Sequence, residues 1–207
     1  MEVDDMDENT RDVLRAVMNE FNRFSYISPD DVPDIQLYMD QITTFMDAKL
    51  GACKRHPDDK ILTKTMINNY TKNKLIPPPD KKKYSKDHLL LLNYVYYLKD
   101  FLQISDIQTL LSPIKELCFQ KDDGRSMLDL YESVVEMVKG QTGYMTKDLM
   151  RRWKTAASTF PDVSDEEAYL PVFAFVCLLS FDVYVKKKLI EAVVDEMDRM
   201  TGNSEES

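Results

Sequence analysis

Polar side chains that could read nucleic-acid bases recur at helical spacing between residues 64 and 72. They are Lys64, Thr65, Asn68, Asn69 and Lys72, and in a helix they would share one face. Asparagine is a poor helix former because its side chain competes for backbone hydrogen bonds, so two in succession inside a helix need a reason. Asparagine can bond an adenine edge in bidentate fashion, and threonine can contact the methyl group of thymine. This face therefore predicts contact with base edges in the major groove of DNA.

Lysines around the same face are expected to bind phosphates, which fix the orientation of a protein on DNA and supply affinity without reading sequence. Tyr84 closes a run of lysines and is either a further phosphate ligand or a core residue beneath that run. A solvated lysine face without any ligand is the simpler alternative. Besides Lys64 and Lys72, the lysines are Lys74, Lys81, Lys82, Lys83 and Lys86.

The formal net charge of -9 conceals regions of opposite sign. Residues 1–40 hold eleven acids against three arginines, a balance of -8, and residues 161–207 hold eleven acids against four bases, a balance of -7. Residues 54–99 hold eleven bases against four acids, a balance of +7. Because local potential attracts phosphates whatever the total charge, this asymmetry is typical of a polyanion-binding module inside an acidic protein.

Sequence motifs for catalysis, metal binding and nucleotide binding are missing. The five glycines form neither G-x-G-x-x-G nor a P-loop, and neither H-E-x-x-H nor G-x-S-x-G occurs. His56 falls in a polar loop, and His88 falls near the start of a predicted helix, where an N-terminal or packing role is expected. Cys53, Cys118 and Cys177 form no C-x-x-C pair, which argues against a disulfide scaffold and a zinc ribbon. We therefore expect no enzyme, no catalytic or metal-binding residue and no cofactor.

The sequence also carries no sign of a membrane. The first residues, MEVDDMDENT, lack the basic and apolar regions of a secretory signal, and no uninterrupted apolar stretch approaches about 18 residues. The chain is therefore expected to be cytoplasmic, with no membrane partner. Its most apolar segment, residues 172–185, belongs either in the middle of a helical bundle or in a subunit interface.

Hydrophobic periodicity predicts a mainly helical chain. Three prolines, Pro77 to Pro79, should stop the helix that carries the polar face, and the lysine-rich segment after them can form only a short hairpin or loop. Ser85 should begin a broadly apolar helix at the centre of the domain, and Pro113 should end the next helix. Predicted helices cover residues 9–24, 35–50, 61–76, 86–101, 104–111, 127–139 and 146–158, and a long one starts at Ser164.

Residues 62–111 resemble the DNA-binding domain of MerR-type transcription regulators. The pattern of that family is a recognition helix ending in a tyrosine, a proline-rich stop, a basic wing that ends in tyrosine, and a helix pair. The whole chain also resembles the bacterial YkrK-type family of uncharacterised proteins. The corresponding residues here are Met66 to Tyr70 in the recognition helix, Leu75 to Pro78 at the stop, Lys82 to Ser85 at the end of the wing, and the helices that begin at Lys86 and Ile104.

The resemblance implies a winged helix-turn-helix with its recognition helix at about 62–76 and its basic wing at about 77–85. The expected fold is mainly all-α, with this MerR-like domain, its short wing and a helical C-terminal region. The expected domains are an acidic N-terminal helical arm at residues 1–34, the DNA-binding domain at residues 35–115, and a dimerisation or effector domain at residues 116–207.

The expected function is that of a transcription regulator that binds double-stranded DNA sequence-specifically. A homodimer built through the C-terminal region is expected, because one helix and one short wing read too few bases for a useful site. A small-molecule effector is possible but unidentified. Its pocket would be lined by aromatic residues between the C-terminal helices, and the alternative is that these residues are plain core, because aromatics at helical spacing usually pack against each other. The two alternatives are a helical protein-interaction module that binds an acidic partner and a small-molecule-binding helical domain. Those aromatic residues are Tyr144, Trp153, Tyr169, Phe173 and Phe175.

Overall fold

The computed structural model describes residues 8–21, 26–119, 126–160, 164 and 167–200. Within these ranges the regular structure is seven α-helices, one two-stranded sheet and two short 3-10 turns. The mainly helical fold predicted from the sequence is therefore confirmed. In chain order the elements are α1 (Glu8–Phe21), β1 (Leu37–Tyr38), α2 (Met39–Leu50), α3 (Lys64–Lys72), β2 (Lys83–Tyr84), α4 (Lys86–Leu98), α5 (Ile104–Phe119), α6 (Met127–Thr159) and α7 (Tyr169–Met200).

Helix α4 lies at the centre of the larger of two hydrophobic cores. Its sequence, KDHLLLLNYVYYL, is apolar on every side, and each residue from His88 to Val95 is buried. Full burial of one leucine side chain contributes about 1.5–3 kcal/mol, so this helix supplies a large share of the apolar free energy of folding. The prediction that it forms the centre of the domain is confirmed. Buried residues from Ile27 to Val135 join the same core.

One buried hydrogen-bond chain connects the two ends of this core. The hydroxyl group of Tyr131 on α6 donates to the backbone carbonyl of Ile27 at 2.7 Å, and the side-chain amide of Asn93 on α4 contacts the same hydroxyl group. Burial raises the pKa of Tyr131, so this phenol stays neutral and keeps its proton for the bond. The larger core therefore extends beyond residues 35–115 at both ends.

The small sheet joins the lysine-rich turn to the start of α2. Strands β1 and β2 are antiparallel, with Leu37 opposite Tyr84 and Tyr38 opposite Lys83. The sequence predicted a hairpin or loop within residues 77–85 and did not predict its partner strand. A two-residue strand contains too few residues for a period-2 pattern, which is why β1 escaped detection.

Helices α6 and α7 form a long antiparallel pair that extends away from the larger core. The end of α6 buries Trp153 against Phe175 at the start of α7, with 5.2 Å between the ring centroids. Arg152 of α6 bridges Asp182 of α7 at 3.2 Å. At the other end of the pair, the Thr109 hydroxyl group on α5 lies 3.4 Å from a carboxylate oxygen of Asp198 on α7.

Helix α5 does not end at Pro113, where the sequence predicted its end. It continues to Phe119, although proline inside a helix removes a hydrogen bond and costs about 3 kcal/mol. Ile114, Cys118 and Phe119 pack against the larger core. This packing offsets the cost of the proline, so the prediction was wrong because tertiary contacts outweigh the local signal.

Helix α6 is also longer than predicted, because one helix spans the two predicted segments 127–139 and 146–158. Gly140 and Gly143 lie at the predicted break, and each costs about 1 kcal/mol relative to alanine inside a helix. Tyr131 and Trp153 are fully buried on either side of the break. Because both ends of α6 are fixed by packing, the helix continues through the exposed glycines.

Replacing Gly140 or Gly143 with alanine is expected to raise the free energy of unfolding by about 0.5–1 kcal/mol at each position. No atom lies within 4 Å of the position that the new methyl group would take. Thermal unfolding followed by circular dichroism should show a melting temperature higher by about 1–4 °C. Gly51, which lies in a short 3-10 turn outside the α-helices, is the control and should gain less on the same change. A lower melting temperature for the α6 variants would contradict a continuous helix.

The remaining helix boundaries differ modestly from the predictions. Helix α1 ends at Phe21 in the structure, and the predicted residues 22–24 lie outside the described residues. Val17 of α1 packs against the smaller core around Trp153, which is the partner surface that this amphipathic helix needs. Helix α7 begins at Tyr169 rather than at Ser164, although Ser164 donates its hydroxyl proton to the Glu167 carboxylate at 2.9 Å.

Helix α7 is long and apolar enough, by length and composition alone, to cross a membrane. Its most apolar window has a mean hydropathy of 1.6, and 6% of that window is buried. Asp182 interrupts the apolar stretch of this helix, so no uninterrupted run near 18 residues marks it in the sequence. The core helix of a soluble protein passes the same test when it is mostly buried, but α7 is mostly exposed.

Candidate nucleic-acid interface

The polar face predicted from helical spacing is an exposed face of α3. The helix begins at the Thr63 cap, whose hydroxyl oxygen accepts a hydrogen bond from the backbone N–H of Met66 at 3.1 Å. Ile67 and Tyr70 anchor the opposite face in the larger core. The predicted division of this helix into an apolar and a polar face is confirmed. Exposed on the polar face are Lys64, Thr65, Asn68, Asn69 and Lys72.

Helix α3 ends at Lys72, earlier than the predicted end at about residue 76. The backbone N–H of Leu75 donates to the Tyr70 carbonyl at 2.8 Å, and that of Lys74 donates to the Thr71 carbonyl at 3.1 Å. These two bonds form a Schellman motif, in which the residue after the cap is left-handed and usually glycine. Here that residue is Lys74, with φ of 57°. Leu75 is completely buried and fixes the chain at the stop.

The two asparagines differ in their surroundings. The side-chain amide of Asn73 donates to the side-chain oxygen of Asn69 at 3.0 Å and to its backbone carbonyl at 2.8 Å. Asn69 therefore supports the last turn of α3 in addition to facing solvent. Asn68 instead lines a cleft next to the lysine-rich turn. Both side chains keep donor and acceptor groups on the exposed surface.

The lysine-rich segment forms a tight turn from Asp80 to Lys83. The backbone N–H of Lys83 donates to the Asp80 carbonyl at 2.8 Å. Lys81 and Lys82, the two central residues, have φ of 46° and 67°, as in a type I′ turn. Such turns strongly prefer Asn-Gly, because a side chain at positive φ crowds the backbone. The turn therefore holds two lysine side chains outward at a cost in conformational energy.

Strand β2 anchors this turn and settles the position of Tyr84. The Lys83 ammonium group lies 5.5 Å from the ring centroid of Tyr38 on β1, within range of a cation–π interaction. Tyr84 is 2% exposed, and its ring packs edge-on against His88 at 5.5 Å between centroids. The core alternative for Tyr84 is therefore confirmed, and a phosphate contact by this residue, which also lines the cleft described below, stays a prediction. Packing of the Tyr84 ring against α4 accounts for an aromatic residue at this position, and no ligand is needed to explain it.

His88 acts as predicted for a residue near a helix start. Its Nδ1 lies 3.1 Å from the backbone nitrogen of Ser85 and caps α4, while its ring packs against Phe119 at 5.4 Å between centroids. Burial lowers the pKa of His88, so the neutral ring is the folded form. Capping accounts for the Nδ1 atom of His88, and packing against Tyr84 and Phe119 accounts for the position of its ring.

A cleft of about 400 Å³ brings part of the α3 face and the turn together. Lys64 and Asn68 line it from α3, Lys82 lines it from the turn, and Tyr38 lines it from β1. Asp40 of α2 also lines the cleft, and its carboxylate forms an ion pair with Lys64. Lys64 and Lys82, which are 18 positions apart in the sequence, thus line one concave surface. The Asp40 carboxylate and the exposed ring of Tyr38 lie on the same surface.

Lys74 lies on another side of the domain. Its backbone carbonyl accepts a hydrogen bond from the Lys115 ammonium group on α5, and both residues line a separate cavity of about 620 Å³. Burial lowers the pKa of Lys115. Of the predicted phosphate ligands, Lys64 and Lys82 line the cleft, whereas Lys74 lines this separate cavity.

Two polar residues of the cleft, Tyr38 and Asp40, were not predicted as site residues. Tyr38 is half exposed and stands between Lys83 and the α3 face. Asp40 neutralises Lys64, one of the predicted phosphate ligands. Neither residue belongs to the lysine-rich segment, so charge counting along the chain gave no signal for them. An exposed tyrosine beside a polar helix start was the only available hint.

The aromatic residues proposed for an effector pocket do not line one together. Trp153 and Phe175 are buried against each other, as core packing predicts. Tyr144, Tyr169 and Phe173 are exposed instead. Across the described ranges, no three histidine, cysteine, aspartate or glutamate side chains are grouped as metal ligands.

Comparison with known proteins identifies a family for the larger part of the chain. No curated protein and no solved structure is similar enough to the chain to count as a match. The matching family is described as "Domain of unknown function (DUF1836)". The match covers residues 27–134, which is just over half of the chain. This range is nearly the same as the span of the larger core. The chain therefore belongs to this family of unknown function.

Proposed function

We propose that the chain is a sequence-specific DNA-binding transcription regulator. Helix α3 enters the major groove of double-stranded DNA with its polar face, and the turn at residues 80–83 contacts the phosphate backbone beside it. The unit is a winged helix-turn-helix of the MerR-like kind, with α2 as the supporting helix and a wing reduced to this turn.

Strained lysines are the observation that carries the proposal. The described residues other than glycine that have positive φ are Lys74, Lys81 and Lys82. A left-handed conformation costs a residue with a side chain roughly 1–2 kcal/mol, and glycine or asparagine would lower that cost. Strain of this kind clusters where side chains serve a function. Lysine at the two corners of an exposed turn is explained if the ammonium groups bind an extended anion.

The geometry of the cleft supports the same proposal. Major-groove readers place polar side chains of one helix toward base edges and flank them with cations on the phosphates. Asn68 lies on the helix between Lys64 and Lys72, and Lys82 approaches from the turn. Lys64, Asn68 and Lys82 belong to residues 54–99, the segment with the positive charge balance, while the acidic excess belongs to the two ends of the sequence.

Selection of bound fragments from a random pool of duplex DNA tests the proposal. We expect recovery of a preferred sequence, and its affinity should fall steeply with salt because each neutralised phosphate releases counterions. Four such contacts lower the affinity about 100-fold between 50 and 200 mM salt. Equal binding of polyglutamate and DNA, with no preferred sequence, would instead favour the protein-interaction module with an acidic partner.

Removing the acid from the cleft is expected to strengthen DNA binding. In Asp40→Asn, Lys64 loses its ion-pair partner and the surface loses one negative charge, worth about 1 kcal/mol at short range or about fivefold in affinity. Fluorescence anisotropy with a labelled duplex measures the change. Asp47→Asn is the matched control, since Asp47 lies on the same helix and pairs with Lys54 outside the cleft. Weaker binding by Asp40→Asn, or an equal gain in Asp47→Asn, would place the DNA elsewhere.

A further inference from the structure

The cavity beside the end of α3 is not used by the proposed DNA contacts. Its volume of about 620 Å³ lies within the range of small-molecule sites, which is about 300–1,000 Å³. Helix α5 lines it with residues that recur at helical spacing from Gln108 to Phe119. The stop after α3 adds the residues from Ile76 to Pro78, and the start of α4 adds His88. This α5 cavity therefore lies where α3, α4 and α5 meet.

Lys115 brings a half-buried cation to the α5 cavity. Its ammonium group has three N–H donors, and one of them bonds the backbone carbonyl of Lys74. Among the described residues, no carboxylate forms an ion pair with Lys115, although a half-buried charge needs a partner more than an exposed one does. Burial lowers the pKa of Lys115, Glu116 acts against this effect, and Lys74 adds to it. Two donors are thus left to water or to a ligand.

Lys74 brings a second cation to the same cavity in a conformation that the proposed DNA contacts do not explain. Its φ is 57°, at a position of the Schellman motif that glycine usually occupies. The residue is exposed and forms no ion pair with any residue that the structure describes. Strain of this kind clusters where a residue serves a function. A lysine at this position is explained if an anion lies between its ammonium group and that of Lys115.

His88 adds a buried hydrogen-bond donor to the cavity wall. The residue is 7% exposed, and its Nδ1 accepts from the backbone N–H of Ser85, so the proton of the neutral ring is on Nε2. Burial lowers the pKa of His88, and the nearby carbonyl groups of Pro77 and Pro78 act against this effect. Neither carbonyl accepts a hydrogen bond of ordinary geometry, and Nε2 has no other partner within the described part of the chain.

Acidic and apolar residues of the cavity limit the kind of anion that it fits. Asp80 and Glu116 line it and are exposed, so water solvates both carboxylates, whereas Lys115 has lost part of its hydration. A second negative charge on a ligand would meet these two acids and weaken binding. Phe119 and Ile76 supply apolar surface for the rest of a ligand. A single carboxylate on an apolar body fits this combination of groups.

We propose that the α5 cavity binds a small monocarboxylate with an apolar body. Its carboxylate accepts hydrogen bonds from the Lys115 ammonium group, with Lys74 beside it, and its apolar body packs against Phe119. The Nε2 donor of His88 is the further polar group that the ligand meets in the cavity. This inference stands apart from the proposed DNA binding and is tested without DNA.

Isothermal titration calorimetry of the full chain with matched probes provides the first test. We expect 3-phenylpropionate, with about 11 non-hydrogen atoms, to bind with a dissociation constant on the order of 1 mM or lower. Its neutral amide has the same shape and should bind at least about tenfold more weakly, because it lacks the charge-assisted hydrogen bond. Benzylmalonate, which adds a second carboxylate to the same body, should also bind more weakly.

Two substitutions in the cavity test the cations one at a time. Lys115→Gln should raise the dissociation constant of 3-phenylpropionate at least about tenfold, and Lys74→Asn should raise it about two- to fivefold. Asparagine adopts positive φ more readily than lysine, so Lys74→Asn keeps the stop of α3 and remains informative if Lys115→Gln unfolds. Lys147→Gln removes an exposed charge from α6 outside the cavity and is the matched control, which should bind the probe as the wild-type chain does.

Nitrogen-15 labelling of histidine locates the ligand. The chain has two histidines, His56 in an exposed loop and His88 in the cavity wall, so the two sets of ring signals report on different places. Adding 3-phenylpropionate should shift the His88 ring signals in a saturable way and leave those of His56 in place. Lys115→Gln should require at least about tenfold more ligand for the same shift.

Three outcomes would overturn the proposal. The first is that 3-phenylpropionate binds no better than its amide, which would leave the cations without a role in the cavity. The second is binding that leaves the His88 signals in place, or that Lys115→Gln and Lys74→Asn do not weaken although circular dichroism shows both variants folded. The third is equal binding of inorganic phosphate, which would indicate a site for any anion. None of these results bears on DNA binding by α3.

Discussion

Replacing Lys81 with asparagine and Lys82 with glycine is expected to make the protein more stable and to weaken its binding to DNA. The two effects have opposite signs because they arise from different properties of the lysines. Asn-Gly is the preferred pair at the centre of a type I′ turn, where both residues have positive φ. Replacing each lysine removes roughly 1 kcal/mol of backbone strain from the turn. Part of this gain is offset at position 82, because glycine loses more backbone entropy on folding.

The expected magnitudes follow from the turn geometry and from counterion release. We expect a net gain of about 1 kcal/mol in the free energy of unfolding, which raises the melting temperature by about 2–4 °C for a chain of this size. Loss of two phosphate contacts should lower the affinity for duplex DNA more than tenfold near physiological salt and reduce the log-log salt slope by about two. Random and preferred sequences should be affected alike, because phosphates carry no sequence information.

A matched control separates local contact from total charge. Lys139→Gln with Lys147→Gln removes the same two positive charges from exposed positions on α6, away from the cleft. This control should bind DNA almost as the wild-type chain does. If the turn variant melts higher but binds DNA unchanged, the lysines are only solvated and the proposed function loses its main support. If the variant melts lower, the turn does not have the conformation described.

Helical periodicity predicted which side of α3 is buried and which is exposed, but it did not predict where the helix ends. The spacing of Ile67 and Tyr70 placed one side of the helix in the core, and it thereby placed Asn68 on the surface. Burial of an apolar face is a property of the repeat itself, so a single sequence reveals it. The helix end was set by the Schellman motif at Lys74, a residue that carries no local signal for a left-handed conformation.

Longer-range features were beyond the reach of local signals. Pro113 and the glycines of α6 are helix-breaking residues, yet packing of Phe119, Tyr131 and Trp153 keeps those helices intact. The cleft could not be predicted either, because it depends on the pairing of Tyr38 with Lys83 across 45 residues. Local composition located the basic segment, but only the fold shows that Asp40 neutralises one of its lysines.

The second large effect is expected at the asparagines, where loss of a base contact should remove sequence discrimination and little else. Asn68→Ala should cost about 1–3 kcal/mol on the preferred DNA site, which is about 5- to 150-fold in affinity, and much less on random DNA. Alanine is the better helix former, so the melting temperature should not fall. Binding to a preferred and a scrambled duplex at the same salt concentration measures the ratio directly.

Asn69→Ala should show the same loss of discrimination with a different effect on stability. This change also removes the hydrogen bond from Asn73 to the Asn69 side chain, a loss of about 0.5 kcal/mol that the better helix propensity of alanine nearly cancels. Asn73→Ala is the matched control, because it breaks the same bond and leaves the side chain of Asn69 in place. It should keep the preference for the selected sequence.

The stability of the three variants distinguishes base reading from a purely structural role. If the asparagines serve only to end the helix, Asn73→Ala should lower the melting temperature more than Asn69→Ala, because it removes both side-chain hydrogen bonds to Asn69. All three variants should then bind both duplexes as the wild-type chain does. If Asn68 and Asn69 read bases, the ratio of affinities should collapse in their alanine variants and survive in Asn73→Ala. A collapse in all three would mean that contact with the Asn73 side chain orients Asn69 for its base, because Asn73→Ala removes both side-chain hydrogen bonds to Asn69 and leaves the Asn69 side chain in place.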